Sequence, residues 1–253
     1  MKKIAKIIAL VAIAAMMLTL FAACGKKTEK YVIATDTTFA PFEFTDAEGN
    51  FVGIDVELLA AIAEDQGFEY ELQSLGFNAA VTALETSQAD GVIAGMSITD
   101  ERKLKYNFSE PYYDSGVVMA IAADNNDIKS YADLKGKTVA VKSGTEGQTF
   151  AESIKDQYGF TVDVLESSGL MYEAVKSGTA VACFEDYPVM GYGISQGNGL
   201  KMVTDMEQGS SYGFAVLKDA GNDDLVKMFN EGLKNLKENG KYQEILDKYI
   251  ATK

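Results

Sequence analysis

The chain has no histidine and only one arginine, Arg102, which limits the chemistry it can perform. Without histidine it lacks the general base of His-dependent triads and a common metal ligand. Its two cysteines, Cys24 and Cys183, cannot form a zinc site on their own. A net charge of −14 without a long basic run disfavours nucleic-acid binding, which requires clustered Lys and Arg side chains.

The bulk composition is that of a folded protein. Of the 253 residues, 47% are hydrophobic and 24% are charged, so the chain can bury proper cores. The length exceeds one typical domain and suits two domains of roughly 100 to 150 residues each. We therefore expect two globular domains.

The N-terminus has the pattern of an export segment. Residues 1–6 are basic, and the apolar run 7–23 ends in small residues before Cys24. This is typical of a signal peptide and is short for a membrane span, which needs about 20 apolar residues. The letters LFAAC are similar to a lipoprotein signal, in which the cysteine is lipidated and becomes the new N-terminus. An uncleaved anchor with a free thiol is the alternative.

Both interpretations place the rest of the chain outside the cytoplasm. In the first, residues 1–23 are removed, and residues 24–29 hold the protein at the extracytoplasmic face of the cell membrane as a lipidated cysteine and tether. Lipidation of Cys24 leaves Cys183 without a disulfide partner, so we expect Cys183 to be a small buried apolar residue.

Strand and helix patterns alternate in the first half of the chain. YVIAT (31–35), FEYELQ (68–73) and GVIAGM (91–96) are typical of strands. The apolar spacing in 54–62 and 77–84 is that of helices between them. A βαβαβ order predicts an α/β fold with mainly parallel sheets covered by helices.

The second half repeats this alternation, and the chain is expected to cross between two lobes twice. Lobe 1 is predicted to comprise residues 30–112 plus 214–253, and lobe 2 residues 113–213. Two crossover strands between two α/β lobes would form a hinge with a ligand cleft.

Arg102 stands where a helix start disfavours a cation. Thr99 is a good N-cap residue, and acids at 100 and 101 suit the helix dipole, whereas Arg102 opposes it. Such local conflicts are expected at functional sites, and a guanidinium can hold a carboxylate by two parallel hydrogen bonds. A surface ion pair with Asp100 or Glu101 is the alternative.

Other polar groups follow predicted strands. KSGTEGQTF (142–150) joins a strand to a helix, where backbone N–H groups favour an anion. CFEDYP (183–188) and Asp36 place acids at strand ends, where ligands bind in open α/β sheets. These acids could receive an ammonium group, perform acid–base chemistry or simply cap helices.

Taken together, these motifs are familiar. ATDTTFAPFEF, GFNAAVTAL, DGVIAGMSITDERKLKYNFSEPYY, VAVKSGT and FEDYP occur in this order. The chain resembles the polar amino-acid binding proteins of ATP-binding-cassette importers, solute-binding protein family 3, and in particular their glutamine-binding members. The resemblance covers about residues 30 to 250 and implies the two-lobed fold of type II periplasmic binding proteins, with a ligand cleft between the lobes.

The resemblance also implies how the ends of an amino acid are held. Arg102 matches the arginine that binds the α-carboxylate, and Asp186 the aspartate that binds the α-ammonium. Gly95 and Ser97 match positions that offer a carbonyl and a hydroxyl to the ammonium end. The full set expected to contact the ligand is Asp36, Phe39, Phe77, Gly95, Ser97, Arg102, Lys142, Thr145, Glu146, Glu185 and Asp186.

Backbone and ring contacts complete this implied site. Thr145 and Glu146 match a loop whose N–H groups meet the carboxylate, and only the backbone role transfers to Glu146. Phe39 and Phe77 match two aromatic residues that sandwich the aliphatic part of the ligand. Both rings could equally be plain core residues.

The side-chain end of the implied site contains both charge signs. Asp36 and Lys142 match residues that face the ligand side chain, and they could bind the donor and acceptor of an amide. Glu185 departs from the family pattern, which often has histidine there. Asp36 and Glu185 would instead suit a cationic amino acid, but Lys142 would oppose it.

We therefore expect a monomeric, non-catalytic receptor that has no metal or cofactor and delivers a polar amino acid, glutamine above others, to a membrane permease. A cleft enzyme of the dehydratase or lyase type, with Glu185 and Asp186 as acid and base, is one alternative. A surface signalling or adhesion module is another.

Overall fold

The computed structural model describes residues 30–250. The predicted signal peptide, the lipidation site Cys24 and the tether lie outside these residues. Among the described residues, no helix is both long and apolar enough to cross a membrane.

Thirteen strands and seven α-helices make up the described part of the chain. The strands are β1 Tyr31–Thr35, β2 Phe44–Thr45, β3 Phe51–Val52, β4 Tyr70–Ser74, β5 Gly91–Val92, β6 Tyr106–Phe108, β7 Tyr113–Ala122, β8 Thr138–Lys142, β9 Thr161–Leu165, β10 Ala182–Asp186, β11 Leu200–Met202, β12 Glu207–Tyr212 and β13 Ala215–Leu217. The helices are α1 Ile54–Gln66, α2 Phe77–Glu85, α3 Glu146–Tyr158, α4 Ser168–Lys176, α5 Tyr187–Ser195, α6 Asp223–Glu238 and α7 Lys241–Tyr249. Two 3-10 helices are Arg102–Leu104 and Tyr131–Leu134.

The first sheet has the strand order β4-β1-β5-β13-β6. Its strands alternate between two cores, because successive side chains of a strand point to opposite faces. Ile33 belongs to a cluster with α1, α6 and α7, whereas its neighbour Ala34 packs against α2. We call this sheet and its helices the first lobe.

The second sheet has the order β11-β7-β10-β8-β9, and β12 pairs with β7. The alternation recurs on β10, where Phe184 packs on the side of α3 and Cys183 on the side of α4. Cys183 is fully buried, as expected of a small apolar residue. We call this sheet with α3, α4 and α5 the second lobe.

The chain passes between the sheets twice, once from β6 to β7 and once from β12 to β13. The predicted α/β fold of two sheets with two crossing strands is therefore confirmed. Parallel pairing is restricted to β4-β1-β5 and β10-β8-β9. The sheets are mixed overall, because the strands that carry the chain across the hinge pair antiparallel with their neighbours.

Two local predictions need correction. The strand predicted over 91–96 is regular only in Gly91–Val92. The helix predicted after Thr99 is a single 3-10 turn, although the Thr99 hydroxyl does accept a hydrogen bond from the Arg102 N–H at 3.2 Å.

Candidate ligand-binding site

One cavity between the two sheets gathers nine of the eleven predicted site residues. Besides Ala94, its lining consists of Phe39, Phe77, Gly95, Ser97, Arg102, Lys142, Thr145, Glu146 and Asp186. The remaining two residues contact members of this lining. Asp36 pairs with Lys142, and Glu185 accepts a hydrogen bond from the Asp186 N–H. The structure thus brings the predicted residues of both lobes together.

Arg102 spans the cleft. Its Nη1 donates to the Ser97 carbonyl at 2.9 Å, and its Nη2 donates to the Gly144 carbonyl of the second lobe at 3.0 Å. The guanidinium carbon lies 5.6 Å from the centre of the Phe77 ring. Each terminal nitrogen carries two N–H groups, so a donor on each remains for a carboxylate.

The Arg102 guanidinium also has an acid beside it, but not one of those next to it in sequence. Its Nη2 lies 3.5 Å from Glu146 Oε1, at the first residue of α3. The Glu146 side chain therefore enters the site, whereas the resemblance transferred only its backbone role. Thr145 caps α3 by accepting a hydrogen bond from the Gln148 N–H at 3.3 Å.

Asp186 is buried at the end of β10 and faces the cavity from the second lobe. Its Oδ2 accepts a hydrogen bond from the Tyr212 hydroxyl at 2.5 Å. Burial raises the pKa of Asp186 to about 7, the charge of Glu185 adds to this, and the bond from Tyr212 opposes it. The Asp186 carboxyl group therefore exchanges its proton near neutral pH, and a cationic partner would stabilise its ionised form.

Lys142 and Asp36 form an ion pair across the cleft, although 106 positions separate them in the chain. Both side chains are almost fully buried. The Lys142 ammonium lies 4.5 Å from the centre of the Phe39 ring and 5.9 Å from that of Phe77. It therefore occupies the space between the two rings that the resemblance assigns to the aliphatic part of a ligand.

Glu185 is buried behind Asp186 and is held on both oxygens. Oε2 accepts from the Tyr172 hydroxyl at 2.9 Å, and Oε1 accepts from the Asp186 N–H at 3.0 Å. Burial raises the pKa of Glu185, which Lys142 partly offsets. Glu185 thus stands in the protein interior next to the site.

The wall formed by the first lobe is shaped by Gly95 and Ser97. Gly95 has a φ of 53°, and a Cβ there would lie 2.3 Å from the Phe39 ring, so only glycine fits. The Ser97 hydroxyl accepts from Ser210 at 3.2 Å.

Three functional candidates escaped the sequence reasoning. Tyr212 contacts Asp186, Tyr172 contacts Glu185, and Asn78 donates across the cleft to the Ser143 hydroxyl at 2.6 Å. Asn78 lies within the recognised motif GFNAAVTAL, but no local pattern pairs any of the three with its partner. Only the tertiary packing does so.

Comparison with known proteins agrees with this geometry. The sequence profile of the bacterial extracellular solute-binding proteins, family 3, matches residues 31–252. The arginine-binding extracellular protein ArtP of Bacillus subtilis (strain 168) is 35% identical over 232 residues, which cover 90% of this chain and 88% of ArtP.

Two solved structures bear on the arrangement of the lobes. Substrate-binding domain 2 of Lactococcus lactis GlnP in an open conformation is 41% identical, with a TM-score of 0.62 and coverage of 90% of this chain and 97% of that one. An ancestral arginine-binding protein bound to glutamine is only 34% identical, yet its TM-score is 0.80, with coverage of 87% and 97%. The lobes described here are thus arranged more like those of the ligand-bound relative.

The profile match spans nearly all of the described chain, and the relatives share its two-lobed architecture. The chain belongs to the bacterial extracellular solute-binding proteins of family 3.

Proposed function

We propose that the protein captures a polar amino acid between its lobes and delivers it to the permease of an ATP-binding-cassette importer. The observation that carries this proposal is the convergence of Arg102 from the first lobe and Asp186 from the second on one cavity. A guanidinium and a carboxylate on opposite walls are complementary to the two charged ends of a zwitterion. Micromolar binding would correspond to about −8 kcal/mol.

We further propose glutamine as the preferred ligand. The Asp36–Lys142 pair places an acceptor and a donor side by side at the side-chain end of the cavity. An amide has a matching NH₂ donor and C=O acceptor and needs no net charge from the site. Lys142 would have to turn away from the space between Phe39 and Phe77 as the ligand enters.

A cationic amino acid is the second candidate, favoured by the name of the relative ArtP. Asp36 and Glu185 would supply negative charge for a guanidinium or ammonium. The buried Lys142 opposes this candidate, because a second cation beside it is repelled strongly where water is excluded.

Isothermal titration calorimetry of the ligand-free protein with glutamine, glutamate, asparagine, arginine, lysine and histidine tests both candidates. Glutamine is expected to bind most tightly. The variant Lys142→Met should have a lower affinity for glutamine and a higher ratio of arginine affinity to glutamine affinity. Tighter binding of arginine by the wild type would reject glutamine in favour of the cationic ligand. If no amino acid gives a heat of binding, the receptor function is rejected.

Unchanged ligand should be recovered after binding. Glu185 and Asp186 form a carboxyl pair in a cleft, which an enzyme could use as acid and base, so mass spectrometry of the amino acid after long incubation is the matching control. Conversion of the amino acid would favour the enzyme alternative.

We also propose that Cys24 is lipidated and anchors the protein at the outer face of the cell membrane. The LFAAC pattern after an apolar run supports this. The variant Cys24→Ser should be released into the medium when expressed in a bacterium that makes lipoproteins. Retention of that variant in the membrane would point to an uncleaved anchor.

A further inference from the structure

Two carboxyl groups lie buried beneath the first-lobe wall of the cavity, outside the predicted site. Glu43 and Asp55 are both fully buried. Asp55 Oδ2 accepts hydrogen bonds from the Gly95 N–H and from the Tyr112 hydroxyl, each at 2.8 Å. Asp55 therefore holds the backbone of a residue that lines the cavity.

Glu43 has no such donors. Among the described residues, no N–H or O–H group of another residue donates to either Glu43 oxygen or to Asp55 Oδ1. These three oxygens have no partner as long as both acids are ionised and can only accept. A proton on one acid would allow the two neighbouring carboxyl groups, each of which shifts the pKa of the other, to hydrogen-bond to each other. Such a contact between two acids is attractive only when one of them carries a proton.

The environment decides which acid is protonated. Asp55 receives two donors that favour its ionised form, whereas Glu43 receives none, so the proton belongs on Glu43. Burial raises the pKa of Glu43 well above its ordinary value, and the charges of Asp55 and Asp36 add to this, whereas Lys142 opposes it. Burial also raises the pKa of Asp55, but only to about 6.

The same pair touches both parts of the first-lobe wall. The Glu43 carbonyl accepts from the Phe39 N–H at 2.8 Å, so its backbone fixes the loop that carries the Phe39 ring. The Phe39 ring in turn rests against Gly95, which Asp55 holds from below. A break between Glu43 and Asp55 would release the Phe39 loop and the Gly95 backbone from one another.

We propose that Glu43 and Asp55 are positioning residues: a protonated Glu43 donates to an ionised Asp55, and together they hold Gly95 and Phe39 in place for the ligand. The effect of this pair on ligand binding rests on the proposed amino-acid function. The protonation of Glu43 and the hydrogen bond from the Gly95 N–H to Asp55 do not depend on that function.

The first test measures the proton. Because the native protein keeps a proton on Glu43 that the unfolded chain loses above about pH 4.3, the stability of the wild type should fall as pH rises from 5 towards the raised pKa. Glu43→Gln has the same shape, keeps an N–H donor for Asp55 and cannot ionise. Urea titrations should show the folded-to-unfolded ratio of this variant rising relative to that of the wild type as pH increases above 5, by up to about tenfold per pH unit while native Glu43 stays protonated.

Parallel stability curves of wild type and Glu43→Gln would overturn the assignment of the proton. The other groups that face the pair, namely Asp36, Lys142 and Tyr112, are unchanged in this variant and cancel in the comparison.

The second test measures the positioning without any ligand. In ¹⁵N NMR, the Gly95 amide should exchange slowly in the wild type and in Glu43→Gln, and at least tenfold faster in Glu43→Leu and in Asp55→Ala. If Glu43→Leu fails to fold, Asp55→Ala, which leaves the Gly95 N–H without its acceptor, still decides the point. Unchanged Gly95 exchange in a folded Asp55→Ala would overturn the proposal.

The third test is binding. Calorimetry should show Glu43→Gln within about threefold of the wild type and Asp55→Ala weakened at least tenfold. Equal binding by Asp55→Ala would overturn the positioning role for the ligand. If the wild type binds no amino acid, the proposed function fails, while the pH and NMR tests still decide whether the pair exists and holds Gly95.

Discussion

Arg102 shows how one side chain can join two distant parts of the fold. It uses one terminal nitrogen for the Ser97 carbonyl and the other for the Gly144 carbonyl of the opposite lobe. Its face lies against Phe77. Lysine cannot reproduce this, because an ammonium is a point charge without a planar fork.

Arg102→Ala is expected to weaken ligand binding by about a hundredfold or more, since each charge-assisted hydrogen bond contributes about 1.5–3 kcal/mol. Arg102→Lys should lose at least about tenfold, because the fork is lost while the charge stays. Calorimetry with the best ligand checks both. Lys103→Ala, whose exposed side chain pairs with Asp100, is the matched control and should bind normally. Unchanged affinity in Arg102→Ala would exclude it as the anchor.

The raised pKa of Asp186 makes binding depend on pH. An ammonium ligand favours the ionised carboxylate, so binding releases the proton that Asp186 carries below about pH 7. Affinity should therefore fall as pH drops from 7 to 5, by up to about tenfold per pH unit. Calorimetry over pH 5–8 measures this, and Asp186→Asn should bind weakly with a flatter profile. A flat wild-type profile would contradict the assignment.

At the scale of elements, β12 joins the hinge to the site. Tyr212 ends this strand, pairs with Tyr113 of β7, and donates its hydroxyl to Asp186 of β10. The Ser115 hydroxyl of β7 donates in turn to Tyr212 at 3.0 Å. The Tyr212 hydroxyl thus connects the crossover strands β7 and β12 to the Asp186 carboxyl group, which lines the cavity.

Tyr212→Phe removes that hydroxyl and keeps the ring. Affinity should fall about tenfold or more, the order expected for one lost hydrogen bond to a charged group. The midpoint of the pH profile should move to higher pH, because the bond from Tyr212 lowers the pKa of Asp186. Tyr113→Phe, whose ring stacks on Tyr212, is the control and should keep the wild-type midpoint. Identical profiles for all three proteins would exclude a role for Tyr212.

At the scale of the molecule, an ion pair and two hydrogen bonds join the two lobes. The Asp36–Lys142 pair, the bond from Arg102 to Gly144 and the bond from Asn78 to Ser143 all cross the cleft. Such contacts exist only when the lobes are close together, so they favour the closed state in any opening equilibrium.

Asn78→Ala removes one cross-lobe bond without touching the predicted ligand contacts. It should weaken binding about twofold to tenfold, as a neutral hydrogen bond of about 0.5–1.5 kcal/mol allows, chiefly through faster dissociation. Stopped-flow kinetics measure both rates. Thr82→Ala on the same helix removes a hydroxyl that bonds within the helix and serves as the control. A slower association with unchanged dissociation would argue against this role.

The sequence could predict much of this arrangement from particular residues. The alternation of Ile33 and Ala34 follows from strand geometry, and Cys183 is buried as its apolar neighbours indicate. The resemblance named nine residues that do line one cavity. Whether they bind the ligand, and whether lobe boundaries lie at 112/113 and 213/214, remain predictions.

What the sequence determined by itself is therefore the local part: the strands, the helices, the family motifs and the types of charged group at strand ends. Only the tertiary structure decided the pairings, such as Lys142 with Asp36, Tyr212 with Asp186, and Glu43 with Asp55. The physical reason is the distance along the chain over which each interaction acts. Periodicity and capping act over a few residues, whereas these pairs join different elements and depend on how two sheets and a hinge pack together.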